Sequence, residues 1–202
     1  QRVIVHDPYG VAAALDEEVD DETAAVFLEP ILGEAGVVVP PDGYLAACAA
    51  ICRRHNVLMI VDEVQTGLGR TGKLWGVEHW DVVPDILTIA KSLGGGVMPI
   101  SAVCTTEEIF YPMMYPNPFM HTTTTGGGAL ACSAAIATIH VTLRERLWEQ
   151  AAVKGEYLMP QLQSFVEQYP QIYEKITGKG LLIGMHFKSP EIGYKVASGL
   201  FK

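Results

Sequence analysis

Two short apolar runs in this chain each stop on a charge: Val57–Val61 delivers Asp62, and Ile86–Ala90 delivers Lys91. Val, Ile and Leu runs of this length, bounded by polar or Gly/Pro segments, read as strands buried on both faces, the pattern of a parallel sheet. Neighbouring parallel strands end side by side, and ligands of open α/β sheets bind outside those carboxyl ends. Asp62 and Lys91 are therefore expected to face one pocket. A lysine there, close to a desolvating apolar sheet and other cations, can serve as an amine nucleophile toward a carbonyl. A carboxylate beside it suits a ring nitrogen that must stay protonated.

Pyridoxal 5′-phosphate needs both groups: a lysine to carry it and an acidic partner for its pyridinium nitrogen. A charge closing a strand is more often a cap or a solvated edge, so the pair gains weight only from its surroundings. Those are LEPILGEAG at Leu28–Gly36, DEVQTGLGRTGK at Asp62–Lys73, PDILTIAKSLGGGVMPISA at Pro84–Ala102 and HTTTTGG at His121–Gly127. Together they resemble the class III (omega) aminotransferases over nearly the whole chain, and KSLGGGVMPI is most similar to the putrescine (diamine) branch. The resemblance implies an α/β chain of fold type I: a large domain with a mainly parallel sheet flanked by helices, then the start of a smaller α+β domain. It also implies a homodimer that transfers an amino group from a primary amine, putrescine or a similar diamine, to a 2-oxo acid such as 2-oxoglutarate. The alternatives are another omega-amino donor, such as ornithine, acetylornithine or a γ-amino acid, and a non-catalytic fragment or paralogue.

By the same resemblance Lys91 carries the cofactor and shuttles the proton between the substrate carbon and the cofactor's C4′. Asp62 pairs with the ring nitrogen, Gln65 hydrogen-bonds the phenolic oxygen, and Val64 packs on the ring face. Thr124 is expected to donate to the cofactor phosphate of the neighbouring subunit. The family's Phe after the threonines is Thr125 here and its Asn-Pro is Gly128-Ala129, so the choice among Thr123, Thr124 and Thr125 stays open. Glu34 matches the family's glutamate near the substrate, with Ala35 in place of a glycine. Glu63 is read as structural and His121 as an orienting or packing residue. The family's upstream phosphate-gripping loop, ring-stacking aromatic and late carboxylate-binding arginine have no counterpart in these residues.

Along the chain, Val3–Val5 reads as a short strand, Asp7–Gly10 as a turn, Asp16–Glu22 as a solvated acidic segment and Ala24–Leu28 as a strand ending at Glu29. Pro40-Pro41-Asp42 predicts a helix start with Asp42 as N-cap, followed by Leu45, Cys48, Ala49 and Cys52 at helical spacing. GLGRTG satisfies a dinucleotide fingerprint, and with Lys73 most of a phosphate-binding loop. Leu74 stands where magnesium needs Ser or Thr, and the following WGVEHWDVVPD lacks a helical stripe. Ile100–Cys104 reads as a strand, Thr105–Glu108 as a helix start, Tyr111–Pro118 as an irregular surface stretch and Ala129–Glu149 as one long helix, buried through its Ala-rich part. An amphipathic helix through Tyr169 and strands at Ile172–Ile176 and Leu181–Phe187 follow. The expected division is residues 1–149 and 150–202.

Bulk properties exclude some classes. With 49% hydrophobic residues the chain can build a real core, and a formal charge of −9 without a Lys/Arg cluster argues against nucleic acid. The four cysteines lack zinc spacing and the six histidines form no metal-spaced set, so no metal is expected. Reduced thiols and the lack of an apolar span fit a cytoplasmic enzyme with no membrane partner, with organellar targeting by a sequence upstream of Gln1 as the alternative. The chain opens on Gln1 within strand-like sequence, which suggests an internal fragment of a longer protein.

Overall fold

The computed structural model describes residues 2–5 and 12–201; the turn expected at 7–10 lies outside them. Five strands form one sheet in sequence order: β1 (Arg2–Val5), β2 (Thr23–Leu28), β3 (Leu58–Asp62), β4 (Ile86–Ile89) and β5 (Ala102–Thr105). The first four run parallel, and β5 returns antiparallel to β4. The helix α1 (Ala12–Glu18) joins β1 to β2, and α2 (Tyr44–His55) joins β2 to β3. Parallel neighbours need such crossovers, so the apolar face of α2 lands on the sheet. Leu45, Cys48 and Cys52 of α2, Leu15 of α1 and Val26, Met59 and Val61 of the sheet form one buried core.

That core corrects the expectation of strands buried on both faces. In β3, Met59 and Val61 are buried while Leu58, Ile60 and Asp62 are half-buried. Among the described residues the helices cover one face, so side chains of period two alternate between core and a more open side. Asp42 is not the cap of α2: Gly43 takes that place at φ 80°, without a side-chain bond. The double proline is followed by a left-handed turn, which carries the helix start one residue beyond the expected position. At the other end Asn56, left-handed at φ 54°, donates its N–H to the carbonyls of Arg53 and Cys52, an ending that Asn tolerates well. The acidic segment is half helix, and Asp16 bonds Arg54 and His55 of α2.

The helix expected over 129–149 is two, α4 (Ala129–Arg144) and α5 (Leu147–Gln168), with Arg146 left-handed at φ 50° between them. No Gly or Pro marks that break in LRERLW, so local propensity gave no warning of it. Nor is α4 buried throughout. Ala135 and Thr142 face inward, whereas Leu130, Ile136 and Leu143 are exposed. The helix start expected over 105–108 is borne out as α3 (Glu107–Phe110), capped by Thr106, whose hydroxyl accepts from the Ile109 N–H. A separate hairpin, β6 (Tyr173–Lys179) and β7 (Leu182–Phe187), precedes α6 (Pro190–Leu200).

The hairpin is pinned at its turn and within β6 to the segments that carry the site. Leu181 N–H donates to the Arg70 carbonyl at 2.9 Å, and the Thr177 hydroxyl donates to the Val37 carbonyl at 2.7 Å. The glycine-rich run 67–73 is thus a set of turns packed on the hairpin and α5, and no helix begins there.

Candidate active site

The β3–β4 register sets Asp62, the last residue of β3, opposite Thr88, one residue before β4 ends at Ile89. Lys91 follows two residues after that end, so Asp62 and Lys91 both stand at the carboxyl edge of the sheet, as expected. The Asp62 carboxylate accepts the Val64 N–H at 2.9 Å, which orients it from its own turn. Lys91 opens a short 3₁₀ helix, Lys91–Gly94, and is itself left-handed at φ 43°. A non-glycine residue held there costs on the order of 1 kcal/mol or more, and such outliers concentrate at functional sites.

Lys91, Val64, Gln65 and Glu34 line one cleft of about 550 Å³, together with Arg70, Ser92, Gly95, Gly96 and Leu182. Gln65 donates through Nε2 to Glu34 Oε1 at 2.7 Å, so the two residues taken from separate motifs meet directly. The Glu34 loop is held by its own contacts: Glu29, at the end of β2, accepts the Gly33 N–H at 3.0 Å. Lys91 also borders a second cavity of about 470 Å³ with Pro99, Ile100 and Ser101. Lys91 is exposed, not desolvated as the sequence suggested, because the open side of the sheet gives it no apolar cover among the described residues.

Two expected residues stand apart from that cleft. Asp62 is half-buried at its edge and does not line it. Thr124 lies in the exposed stretch 121–128, where it is Thr123 whose hydroxyl accepts the Gly126 N–H, at 3.2 Å. His121 is exposed as well.

Some wall residues were missed. Arg70 lay inside the glycine motif set aside as a decoy, and Leu182 arrives from the hairpin with no local signal that it turns toward the site. Glu63, read as structural, is buried and bonded to Thr66, Gly76 and Val77. Burial pushes its carboxyl above the usual range while those three donors pull it down. His79 is shifted downward, first by burial and then by Lys179, while its ring nitrogen lies 3.0 Å from the Thr71 carbonyl. Among the described residues no helix is long and apolar enough to cross a membrane.

The chain is similar to known proteins along most of its length. The chain is 49% identical to a putrescine aminotransferase of Pectobacterium atrosepticum, over 98% of its own length and 43% of that protein's. Among solved structures it is similar to the ornithine aminotransferase PY00104 from Plasmodium yoelii, with a TM-score of 0.85 and 41% identity over 93% of this chain and 50% of that one. An acetylornithine aminotransferase from Elizabethkingia anophelis gives a TM-score of 0.83 and 41% identity, over 91% of this chain and 45% of that one. The chain thus spans about half the length of the relatives it matches. These likenesses make the architecture that of the fold type I aminotransferases. The family profile described as aminotransferase class-III matches residues 9–198, and the chain belongs to that family of pyridoxal-phosphate-dependent transferases.

Proposed function

We propose that the protein carrying this chain transfers an amino group from a primary amine, putrescine or a similar diamine, to a 2-oxo acid such as 2-oxoglutarate, with pyridoxal 5′-phosphate as cofactor. The observation that carries the reading is the Asp62–Thr88 register. It sets a carboxylate and, just beyond β4, the Lys91 amine at one sheet edge, beside a cleft walled by Val64 and Gln65. The cleft's lining suits the cofactor, with an amine to hold it, an amide for the phenolic oxygen and a valine for the ring face, and Asp62 at the cleft's edge would offer the ring nitrogen a carboxylate. When bound, the group supplies an electron sink beside the substrate's amine-bearing carbon.

The chain's own residues do the rest. Lys91 Nζ takes and returns the proton at that carbon, acting as general base and acid within reach of the cleft. The Asp62 carboxylate, fixed by the Val64 amide, keeps the ring nitrogen's proton in place. Gln65, bridged to Glu34, presents an amide toward the cofactor, and Glu34 faces the substrate side. Exposed apolar residues on α4, Leu130, Ile136 and Leu143, support a homodimer, in which Thr124 reaches the partner's cofactor phosphate. The separate β6–β7 sheet supports the start of a smaller domain near residue 150.

The likeness to ornithine and acetylornithine aminotransferases favours a second reading, in which the donor is an ω-amino acid. The test is single-turnover amino transfer from putrescine, ornithine, N-acetylornithine and γ-aminobutyrate to 2-oxoglutarate, with Asp62→Asn as control. Fastest turnover with putrescine, lost in Asp62→Asn, is the expected result. A preference for an amino acid donor would establish the second reading, and no turnover with any donor would mark a non-catalytic paralogue.

A further inference from the structure

Glu63 is a carboxylate with 2% exposure, placed between Asp62 and Val64, and none of the roles above uses its side chain. Isolated charges are not left in a protein interior without partners. One carboxylate oxygen, Oε2, accepts the Thr66 hydroxyl and the Gly76 N–H, the latter at 2.8 Å. The other, Oε1, accepts the Val77 N–H at 2.8 Å. All three partners are donors, so the position calls for a group that only accepts.

The backbone of the same residue is tied on two further sides. Glu63 N–H donates to the Thr88 carbonyl of β4 at 2.9 Å, and the Glu63 carbonyl accepts the Gly67 N–H at 2.9 Å. Gly76 is needed for this approach, since a Cβ there would lie 2.8 Å from Thr66 Cβ and 3.0 Å from Glu63 Oε2. The turn that carries Val64 and Gln65 is therefore held between β4 on one side and the 3₁₀ helix Gly76–Trp80 on the other.

We propose that Glu63 is a positioning residue: its buried carboxylate fixes the turn that presents Val64 and Gln65 to the Lys91 cleft. The inference rests on the cofactor reading of that cleft, but the positioning itself is measurable without cofactor. Buried hydrogen bonds to a charged group are among the stronger ones, and removing one acceptor leaves a buried donor unpaired. In Glu63→Gln the amide oxygen can keep the Thr66 and Gly76 donors. Its NH₂ then faces the Val77 N–H, donor against donor, and that tie is lost.

The test has two arms. In the cofactor-free protein, amide hydrogen exchange should speed up in Glu63→Gln not only at Gly76 and Val77 but also at residues 64–67, while α2 stays protected. In the second arm, pyridoxal phosphate is titrated into four proteins: wild type, Glu63→Gln, Gln65→Ala and the double variant. Glu63→Gln should weaken binding about tenfold, the scale of one hydrogen bond to a charged group. If Glu63 acts through Gln65, that effect should nearly vanish in the Gln65→Ala background.

Equal weakening in both backgrounds would reduce Glu63 to a fold-stabilising residue and overturn the proposal. So would unchanged exchange at 64–67. Failure of the wild type to bind pyridoxal phosphate would instead count against the cofactor reading, with the exchange arm still deciding on Glu63. Thr66→Val, which removes one donor without changing shape, runs through both arms if Glu63→Gln does not fold.

Discussion

Gly155 lies inside α5, where alanine would ordinarily stabilise a helix by about 1 kcal/mol relative to glycine. The structure calls for the opposite sign. A Cβ on Gly155 would stand 2.3 Å from the Gly180 carbonyl oxygen and 2.7 Å from its carbon. The β6–β7 turn cannot retreat, because a Cβ on Gly180 would itself meet the Thr71 carbonyl carbon at 2.4 Å and the Gly72 nitrogen at 2.6 Å. Gly180 is at φ 55° and is wedged between α5 and the glycine-rich run. Overpacking of this kind costs roughly 1–3 kcal/mol, and here rigid backbone must yield, so the upper part of that range applies. After the propensity gain, Gly155→Ala should lose about 1–2 kcal/mol, a fall in Tm of roughly 2–8 °C for a chain of this size. Thermal unfolding followed by far-UV circular dichroism measures it. Gly199→Ala in α6, where a Cβ meets nothing within 4 Å, is the control and should leave Tm unchanged or slightly raised. A rise in Tm for Gly155→Ala matching the control would refute the wedge.

Burial raises the Cys48 thiol pKa and pushes that of Cys52 up to about 11, so neither should be alkylated by iodoacetamide at about pH 8 before unfolding, as mass spectrometry of the labelled native protein would reveal. Because the fold holds the Glu63 proton more tightly than the unfolded chain, protonation there stabilises the fold below the ordinary carboxylate pKa. That contribution is lost as pH rises through the raised folded-state value, and denaturant titrations should show the slope flattened in Glu63→Gln. Thr124→Val should weaken cofactor retention. In heterodimers of Thr124→Val with Lys91→Ala subunits, the site with the intact lysine should recover affinity. No recovery after confirmed subunit exchange would place Thr124 within its own chain or outside the site.

The parts legible in the sequence were those set by local pattern. Val57–Val61 and Ile86–Ala90 became β3 and β4 because short β-rich runs can do little else, and their ends carried Asp62 and Lys91 to one edge. What escaped was set by contacts distant in the chain. The break at Arg146 contradicts a continuous helical pattern. Leu182 enters the cleft because a hairpin more than a hundred residues away is pinned to Arg70 and Val37. The half-open side of the sheet was hidden because an apolar run does not say how many of its faces are covered. Thr124 was named from a motif alone, and no contact among the described residues brings it to Lys91.

Attachment of the cofactor to Lys91 is the claim on which the others depend. The protein carrying this chain is loaded with pyridoxal phosphate and reduced with borohydride, which fixes the cofactor on the lysine that holds it, and is then digested and mapped by mass spectrometry. The Lys91 reading predicts a pyridoxyl-phosphate label on the peptide containing TIAKSLGGG, absent from Lys91→Ala. A label on Lys73 or on any other lysine, or the same label retained in Lys91→Ala, would contradict it.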